Sequence, residues 1–181
     1  MLLLWEFVAY SFVGFILESL FSLTLGRPQI RKTMVILPLC PVYGLGAVAF
    51  ITLLTPLRTQ PVWLFFAAAA VGTMTEYGYA WMLTVLFGVT AWDYGGMPGS
   101  LHGRVNLVFS LIWGALGILL LDRAQPVLRP RLAAIPPAIS AVMTVVLALD
   151  MALTLHMLRR LRLGGSAWGC PVYRQTGGRF K

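Results

Sequence analysis

Residues 3–25 read LLWEFVAYSFVGFILESLFSLTL, an apolar run that is rich in leucine and phenylalanine. A helix needs about 20 mostly apolar residues to cross the roughly 30 Å of hydrocarbon in a bilayer, and this run is long enough. Four further runs of the same kind follow it. The five candidate spans are residues 3–25, 38–56, 62–87, 105–122 and 135–156. The sequence therefore predicts an all-α, polytopic membrane helical bundle of about five transmembrane helices.

The composition of the chain supports a membrane location. Of its 181 residues, 59% are hydrophobic and 11% are charged, whereas a soluble domain has about 25% charged residues. The net charge is +8, but the cations lie in short patches between apolar runs. That distribution is typical of the loops of membrane proteins rather than of a nucleic-acid-binding face. We expect the lipid bilayer as the surroundings and no nucleic-acid partner.

The distribution of the spans indicates one transmembrane domain at residues 1–156 and a basic, glycine-rich tail at residues 157–181, which we expect to be flexible. An odd number of spans places the two termini on opposite sides of the membrane. The loops that share a side with the tail carry more lysine and arginine than the others, which favours an N-out, C-in orientation. Arg123, Arg129 and Arg131, which follow the fourth span, argue against that orientation.

Residues 88–104, GVTAWDYGGMPGSLHGR, form the least regular stretch before the tail, with five glycines and one proline. The aromatic residues Trp92 and Tyr94 flank Asp93. A loop exposed to lipid at membrane depth is excluded, because its backbone polar groups would have no partners there. Two interpretations remain open for this segment: an interfacial loop, or a re-entrant segment that packs within the protein.

All six acidic residues lie within or at the ends of predicted spans or in the glycine-rich segment. They are Glu6, Glu18, Glu76, Asp93, Asp122 and Asp150. A carboxylate inside a bilayer costs about 2.5 kcal/mol or more, so it usually faces a partner or a water-filled cavity and marks a candidate functional site. Glu6 and Asp122 lie near span ends, where we expect them to reach the interface. Asp150 lies about two turns before the end of the fifth span.

Glu18 and Glu76 are the acids that lie deep in their spans. Glu18 shares a small, polar helix stripe, typical of a helix contact or a cavity lining, with Ser11, Gly14 and Ser22. Glu76 lies midway along the third span. It belongs either to a functional cavity or to a buried ion pair. Arg104 is the candidate partner for such a pair, because a guanidinium can bind a carboxylate through two hydrogen bonds.

Catalytic motifs are absent from the sequence. It contains no P-loop, no His-Glu-x-x-His and no Gly-x-Ser-x-Gly. Ser100, His102 and Asp93 lie in one polar stretch, which is weak evidence for a triad. The two cysteines, Cys40 and Cys170, are too few for a disulfide framework or a zinc site. We therefore expect no catalytic residues, no metal site and no cofactor.

Several short strings, in order, resemble those of a family of small bacterial membrane proteins, the CmpB-like or type IV group of ABC-transporter permeases. The strings are WEFxxYSxxGxxxE at 5–18, PLCPVYGLG at 38–46, EY at 76–77, WDY at 92–94 and GRVNLxxSxxWG at 103–114. They span about residues 5–122 and leave the fifth span and the tail outside. The sequence departs from the family's pattern at residues 31–33, at Leu37 and near Ser100.

The resemblance implies a multi-pass protein of the bacterial cell membrane that acts as a transporter permease or permease subunit. A chain this short would form a homo-oligomer or join a partner membrane or ATPase subunit. Glu76 would then be a proton or cation site, and Tyr43, Trp92 and Tyr94 would shape the gate. The candidate residues of the substrate or ion path are Glu18, Tyr43, Glu76, Trp92, Asp93, Tyr94, Arg104 and Asn106.

Two other functions remain open at this point. In the first, the protein is a non-transporting structural or regulatory membrane subunit, whose acids pair with Arg104 and fix the packing of the helices. In the second, it is a membrane-embedded enzyme that acts on lipid-linked substrates through residues 92–104.

Overall fold

A computed structural model describes residues 1–24 and 35–162 of the chain. Within these residues the protein is all-α, and its one β-type feature is an isolated bridge between Leu101 and Val105. The helices are α1 (Leu2–Thr24), α2 (Pro41–Leu54), α3 (Pro61–Phe87), α4 (Leu107–Leu119), α5 (Gln125–Ala133) and α6 (Pro137–Arg162). A 3₁₀ turn at Thr55–Leu57 follows α2, and a π-helical turn at Leu120–Ala124 joins α4 to α5. The predicted all-helical bundle is confirmed.

Three helical stretches of the described chain are long and apolar enough to cross a membrane, namely Leu2–Phe21, Leu107–Ala133 and Pro137–Arg160. The helix α3 has 27 residues and is long enough, but the polar residues around Glu76 lower its mean hydropathy. The helix α2 has 14 residues, which span only about 21 Å. The basic loop predicted after the first span lies outside the described residues. Of the predicted tail at residues 157–181, residues 157–162 are the end of α6, and the rest also lies outside the described residues.

The contacts between helices define two ends of the bundle. At the first end, the indole N–H of Trp5 in α1 donates to Ser140 Oγ in α6 at 2.9 Å, so both helices start there. Trp5 therefore contacts a neighbouring helix at the first end of the bundle. At the second end, Phe21 of α1 packs edge-on against Phe109 of α4, with ring centroids 6.2 Å apart. The segment between α3 and α4 also lies at this second end.

Glycines let the helices approach closely in the core. Gly14 of α1 lies against the Tyr43 side chain of α2, and Gly72 of α3 lies against the Trp113 side chain of α4, with no space for a Cβ at either glycine. Small residues at such contacts are common in membrane bundles. The polar stripe of α1 therefore serves a helix contact at Gly14, one of the two roles that the sequence predicts for it.

The helix α2 begins midway across the bundle. The amide of Cys40, just before α2, donates to the Ser11 carbonyl in the middle of α1 at 2.9 Å. The preceding amides of Ile36 and Leu37 donate to Asp150 Oδ1, in the middle of α6, at 3.0 and 3.1 Å. The second predicted span is thus a short helix preceded by irregular backbone at membrane depth, and the hydrogen bonds of this backbone are made within the protein.

The fourth helix continues past residue 122, where the sequence predicts a linker. The ring of Pro126 would clash with the carbonyl of Asp122 in a regular α-helix. The π-helical turn at Leu120–Ala124 widens the helix at that carbonyl, and the helix continues to Ala133. The linker prediction is therefore wrong, because the widened turn accommodates the proline that suggested a break.

Candidate functional site

Glu76 is the buried acid at the centre of α3, with 3% of its surface exposed. The Tyr94 hydroxyl donates to Glu76 Oε1 at 3.0 Å, and the Trp113 indole N–H donates to Glu76 Oε2 at 3.0 Å. Tyr94 belongs to the segment between α3 and α4, and Trp113 belongs to α4. The carboxylate therefore links three parts of the fold through two uncharged donors.

Glu18 lies in the same neighbourhood, on α1. The Tyr43 hydroxyl of α2 donates to Glu18 Oε1 at 2.8 Å. The Tyr43 ring packs on Trp113, with centroids 5.2 Å apart, and Trp113 is in turn a donor to Glu76. The structure thus brings together two carboxylates and three aromatic side chains from four helices and one loop. These five residues form the Glu76 cluster: Glu18, Tyr43, Glu76, Tyr94 and Trp113.

The segment at residues 88–104 folds back onto the protein and delivers Tyr94 to this cluster. Gly88 ends α3 in the left-handed region, with φ 68°. The amide of Tyr94 donates to the Gly103 carbonyl at 2.8 Å, and the indole N–H of Trp92 donates to the Arg104 carbonyl at 2.8 Å. The bond of Trp92 therefore holds the beginning and the end of the segment together. The buried Tyr94 between them contacts Glu76.

Asp93 is exposed and stands apart from the cluster. Its Oδ1 accepts the amide of Gly95 at 2.8 Å, a contact within its own turn. A side chain at Gly103, whose φ is +69°, would overlap this carboxylate. The structure therefore places Asp93 as a residue that shapes the loop.

Arg104 also contacts a residue other than the predicted one. Its Nη1 donates to the Tyr77 hydroxyl at 3.3 Å, and its guanidinium lies over the Tyr77 ring, 5.4 Å from the centroid. An ion pair between Arg104 and Glu76, one of the two alternatives that the sequence left open, is not found, because the Arg104 guanidinium lies at Tyr77. His102 Nδ1 also contacts the Tyr77 hydroxyl, at 3.1 Å, so this histidine does not join Asp93 in a triad.

Asn106 is buried and caps α4. Its Oδ1 accepts the amide of Phe109 at 3.1 Å, as expected of an asparagine at a helix N-cap, and its Nδ2 contacts Met97 Sδ at 3.6 Å. One turn later, Ser110 accepts a hydrogen bond from Thr73 of α3 at 2.7 Å. Asn106 thus fixes the start of the helix that carries Trp113, and it is separate from the Glu76 cluster.

Two further acids are buried in ways that the sequence did not reveal. Glu6 is 1% exposed, so the prediction that it reaches the interface is wrong. It accepts a hydrogen bond from Gln125 Nε2, and Gln125 Oε1 accepts one from the Tyr10 hydroxyl at 2.8 Å. These three residues are called the Glu6 cluster. The sequence placed Gln125 in a linker between two spans, so it was not expected to be buried. In the structure it belongs to the continuous helix, which directs its side chain into the bundle.

Asp122, in contrast, is only partly buried, although it lies within the continuous helical stretch and not at the end of a span as predicted. It pairs with Arg58 at 3.3 Å at the first end, and both side chains are partly exposed.

Asp150 is buried, and it accepts the two amides of the segment before α2. No pattern within α6 pointed to these amides as partners. Among the described residues, no group of three or more histidine, cysteine, aspartate or glutamate side chains could hold a metal ion.

A cavity of about 190 Å³ lies beside the Glu76 cluster, between α1, α2 and α4. Its lining is almost entirely apolar. The lining residues are Tyr10, Val13, Gly14, Leu17, Tyr43, Ala47, Phe50, Trp113, Leu116, Leu119, Leu120 and Ala124. The cavity could not be predicted from the sequence, because its walls come from three separate helices.

The comparisons with known proteins agree with this membrane bundle. The model of the family described as "Putative ABC-transporter type IV", the CmpB family, matches residues 5–157. This match extends the resemblance through most of α6, which the sequence motifs had left outside. No curated protein and no solved structure matches the chain. Because the family model covers most of its length, the chain belongs to the CmpB family of type IV ABC-transporter proteins.

Proposed function

We propose that this protein is the permease-type subunit of a transporter in the bacterial cell membrane, and that the Glu76 cluster is its proton or cation site. The observation that carries the proposal is the position of Glu76, buried at the centre of α3 and held by Tyr94 and Trp113. Buried ionisable residues within membrane-spanning bundles commonly mark ion pathways and proton relays. Family membership and the three apolar helices support a transporter component.

The hydrogen bonds of Glu76 give this site a physical means of switching. The two donors that the described residues provide, Tyr94 and Trp113, are uncharged, and each binds a different carboxylate oxygen. Protonation turns one carboxylate oxygen into a hydroxyl, which donates a hydrogen bond and is a weaker acceptor. On Oε1 the new O–H can donate to the Tyr94 hydroxyl, which can accept as well as donate. On Oε2 it meets the Trp113 indole N–H, which can only donate, so protonation there weakens the bond that holds α4 to α3. A bound cation would compete with Tyr94 and Trp113 for the carboxylate oxygens of Glu76. Proton or cation binding is therefore coupled to the packing of these elements.

The assembly and orientation that accompany this proposal follow from the length and charge of the chain. A subunit of 181 residues would act as a homo-oligomer or with a partner membrane or ATPase subunit. The positive-inside rule favours the N-out, C-in orientation. The proposal includes no catalytic step, and within the described residues Ser100, His102 and Asp93 do not converge on one another.

Reconstitution of the purified protein into liposomes tests the ion site. Vesicles loaded with pyranine, or with a sodium-sensitive dye, would report proton or sodium entry under a valinomycin-driven potassium diffusion potential. We expect entry of one of these ions above that of protein-free vesicles, and we expect Glu76→Gln to abolish it. Glu6→Gln is the matched control, because Glu6 is equally buried and belongs to a separate cluster. Absence of flux in the wild type, or equal flux in Glu76→Gln, would overturn the proposal.

One observation favours a second function, that of a structural subunit. The two bonds of Glu76 also fix α4 and the segment at residues 88–104 onto α3. If that were their role, Glu76→Gln would lower the melting temperature in detergent, and the wild type would conduct no ions. Thermal unfolding of Glu76→Gln and Glu6→Gln beside the flux assay separates the two functions.

A further inference from the structure

We propose that the cavity between α1 and α4 binds an acyl chain of a bilayer lipid, which enters sideways from the membrane. Only the coupling of this lipid to the proton or cation site rests on the proposed function. Occupation of the cavity by an acyl chain does not depend on ion transport, so the two can be tested separately.

The position of the cavity gives it access to the bilayer. Near the second end, Phe21 of α1 meets Phe109 of α4. Near the first end, Tyr10 of α1 is bonded to Gln125. Between these two contacts the helices stand apart, and three apolar residues form the rim of the opening. They are Val13, Leu17 and Leu119, which are 43%, 39% and 56% exposed. Since α1 and α4 belong to apolar helical stretches that can cross a membrane, this rim faces lipid.

The chemistry of the lining suits a hydrocarbon. Two of the lining residues carry hydroxyl groups, and both groups are bonded elsewhere, Tyr10 to Gln125 and Tyr43 to Glu18. Their rings, not their hydroxyls, therefore face the cavity. An apolar cavity of about 150 Å³ stays dry and accepts a molecule the size of benzene. This cavity, at about 190 Å³, can hold a short length of acyl chain, and the surrounding bilayer supplies such chains at high concentration.

The same lining residues connect the cavity to the acids. Tyr43 and Trp113 line the cavity, and they are also the donors to Glu18 and Glu76. An acyl chain in the cavity would therefore pack against two of the side chains that donate to the carboxylates. A lipid that entered or left could change these hydrogen bonds directly, which would couple lipid binding to the proton or cation site.

Photo-crosslinking in vesicles tests the occupant. The protein would be reconstituted in phosphatidylcholine that contains a fraction of a diazirine-labelled acyl analogue, irradiated, digested and mapped by mass spectrometry. We expect adducts on Ala47 and Phe50, which line the cavity but are 2% and 1% exposed. Lipid can reach these two residues only through the cavity. Phe66, which is 61% exposed on α3, serves as the reference for ordinary lipid contact.

Two variants in which leucine replaces an alanine complete the test. Ala124→Leu adds bulk inside the cavity and should remove the adducts on Ala47 and Phe50 while those on Phe66 remain. Ala115→Leu, on an exposed position of α4 outside the lining, should leave the pattern unchanged. Wild-type adducts confined to exposed residues would overturn the proposal whether or not the variants fold. Cavity adducts without ion flux would retain the lipid site and overturn the ion site, and flux without cavity adducts would do the reverse.

Discussion

Glu6 and Glu76 are both almost fully buried, at 1% and 3% exposure, but their surroundings differ. Glu6 lies near the start of α1, and its bond to Gln125 joins α1 to the helix that follows the π-helical turn. Glu76 lies at the centre of α3, and it is held by a loop residue and by a residue of α4. Burial alone therefore does not distinguish the two carboxylates, and the cavity does not either, because Tyr10 of the Glu6 cluster also lines it. The difference lies in the donors, since those of Glu76 come from two separately connected elements.

Replacement of each acid by leucine should have the largest effect on stability. Glu76→Leu leaves the donors of Tyr94 and Trp113 without their acceptor, and each orphaned buried donor costs about 1–3 kcal/mol. We expect a total loss of about 2–6 kcal/mol in the free energy of unfolding. Glu6→Leu orphans one donor, that of Gln125, and should cost about half as much. Equilibrium unfolding in mixed micelles measures both values, and equal losses would contradict the difference between the clusters.

The glycine behind Trp113 provides a second test of how tightly the Glu76 cluster is packed. A Cβ at Gly72 would lie 2.5 Å from Trp113 Cγ, so Gly72→Ala must displace the indole that donates to Glu76. Overpacking of this kind costs about 1–3 kcal/mol. Gly78→Ala, on the same helix and with open space around it, should instead stabilise by up to about 1 kcal/mol. Melting temperatures of the two variants measure the contrast, and a neutral Gly72→Ala would show that the indole can move freely.

Variants of the two tyrosines that line the cavity distinguish an effect on stability from an effect on ion flux. Tyr43→Phe removes the bond to Glu18, and Tyr10→Phe removes the bond to Gln125. Each loss should cost about 1 kcal/mol, so the two melting temperatures should fall by similar amounts. Ion flux in liposomes should change in Tyr43→Phe and stay at the wild-type level in Tyr10→Phe. A flux defect in Tyr10→Phe alone would reverse the assignment of the two clusters.

The exposed ion pair at the first end should show the smallest effect. Arg58 and Asp122 are 48% and 33% exposed, and surface ion pairs contribute about 0–1 kcal/mol. Arg58→Gln should therefore lower the free energy of unfolding by less than about 1 kcal/mol, with the loss shrinking further in high salt. A loss as large as that of Glu6→Leu would show that this end of the bundle is less accessible to water than its exposure indicates.

The sequence predicted the helices well, because hydropathy and span length are local properties. The third predicted span, 62–87, differs from α3 by one residue at its start. The error at residue 122 arose because prolines normally end helices, and a π-helical turn has no clear sequence signature. The depth of Glu76 could be predicted from its place in the span. Its partners could not, because the choice of Trp113 over Arg104 depends on how α4 is rotated against α3. Gln125 was missed for the same reason.

The bond between Asp150 and the segment before α2 has a consequence for the order of assembly. The amides of Ile36 and Leu37 lie midway across the bundle, and their acceptor is more than 110 residues later in the chain. During synthesis these amides have no such acceptor until α6 has been made, and an unpaired amide is costly in hydrocarbon. We therefore expect the segment before α2 to complete these two hydrogen bonds only after α6 has inserted, late in the assembly of the bundle.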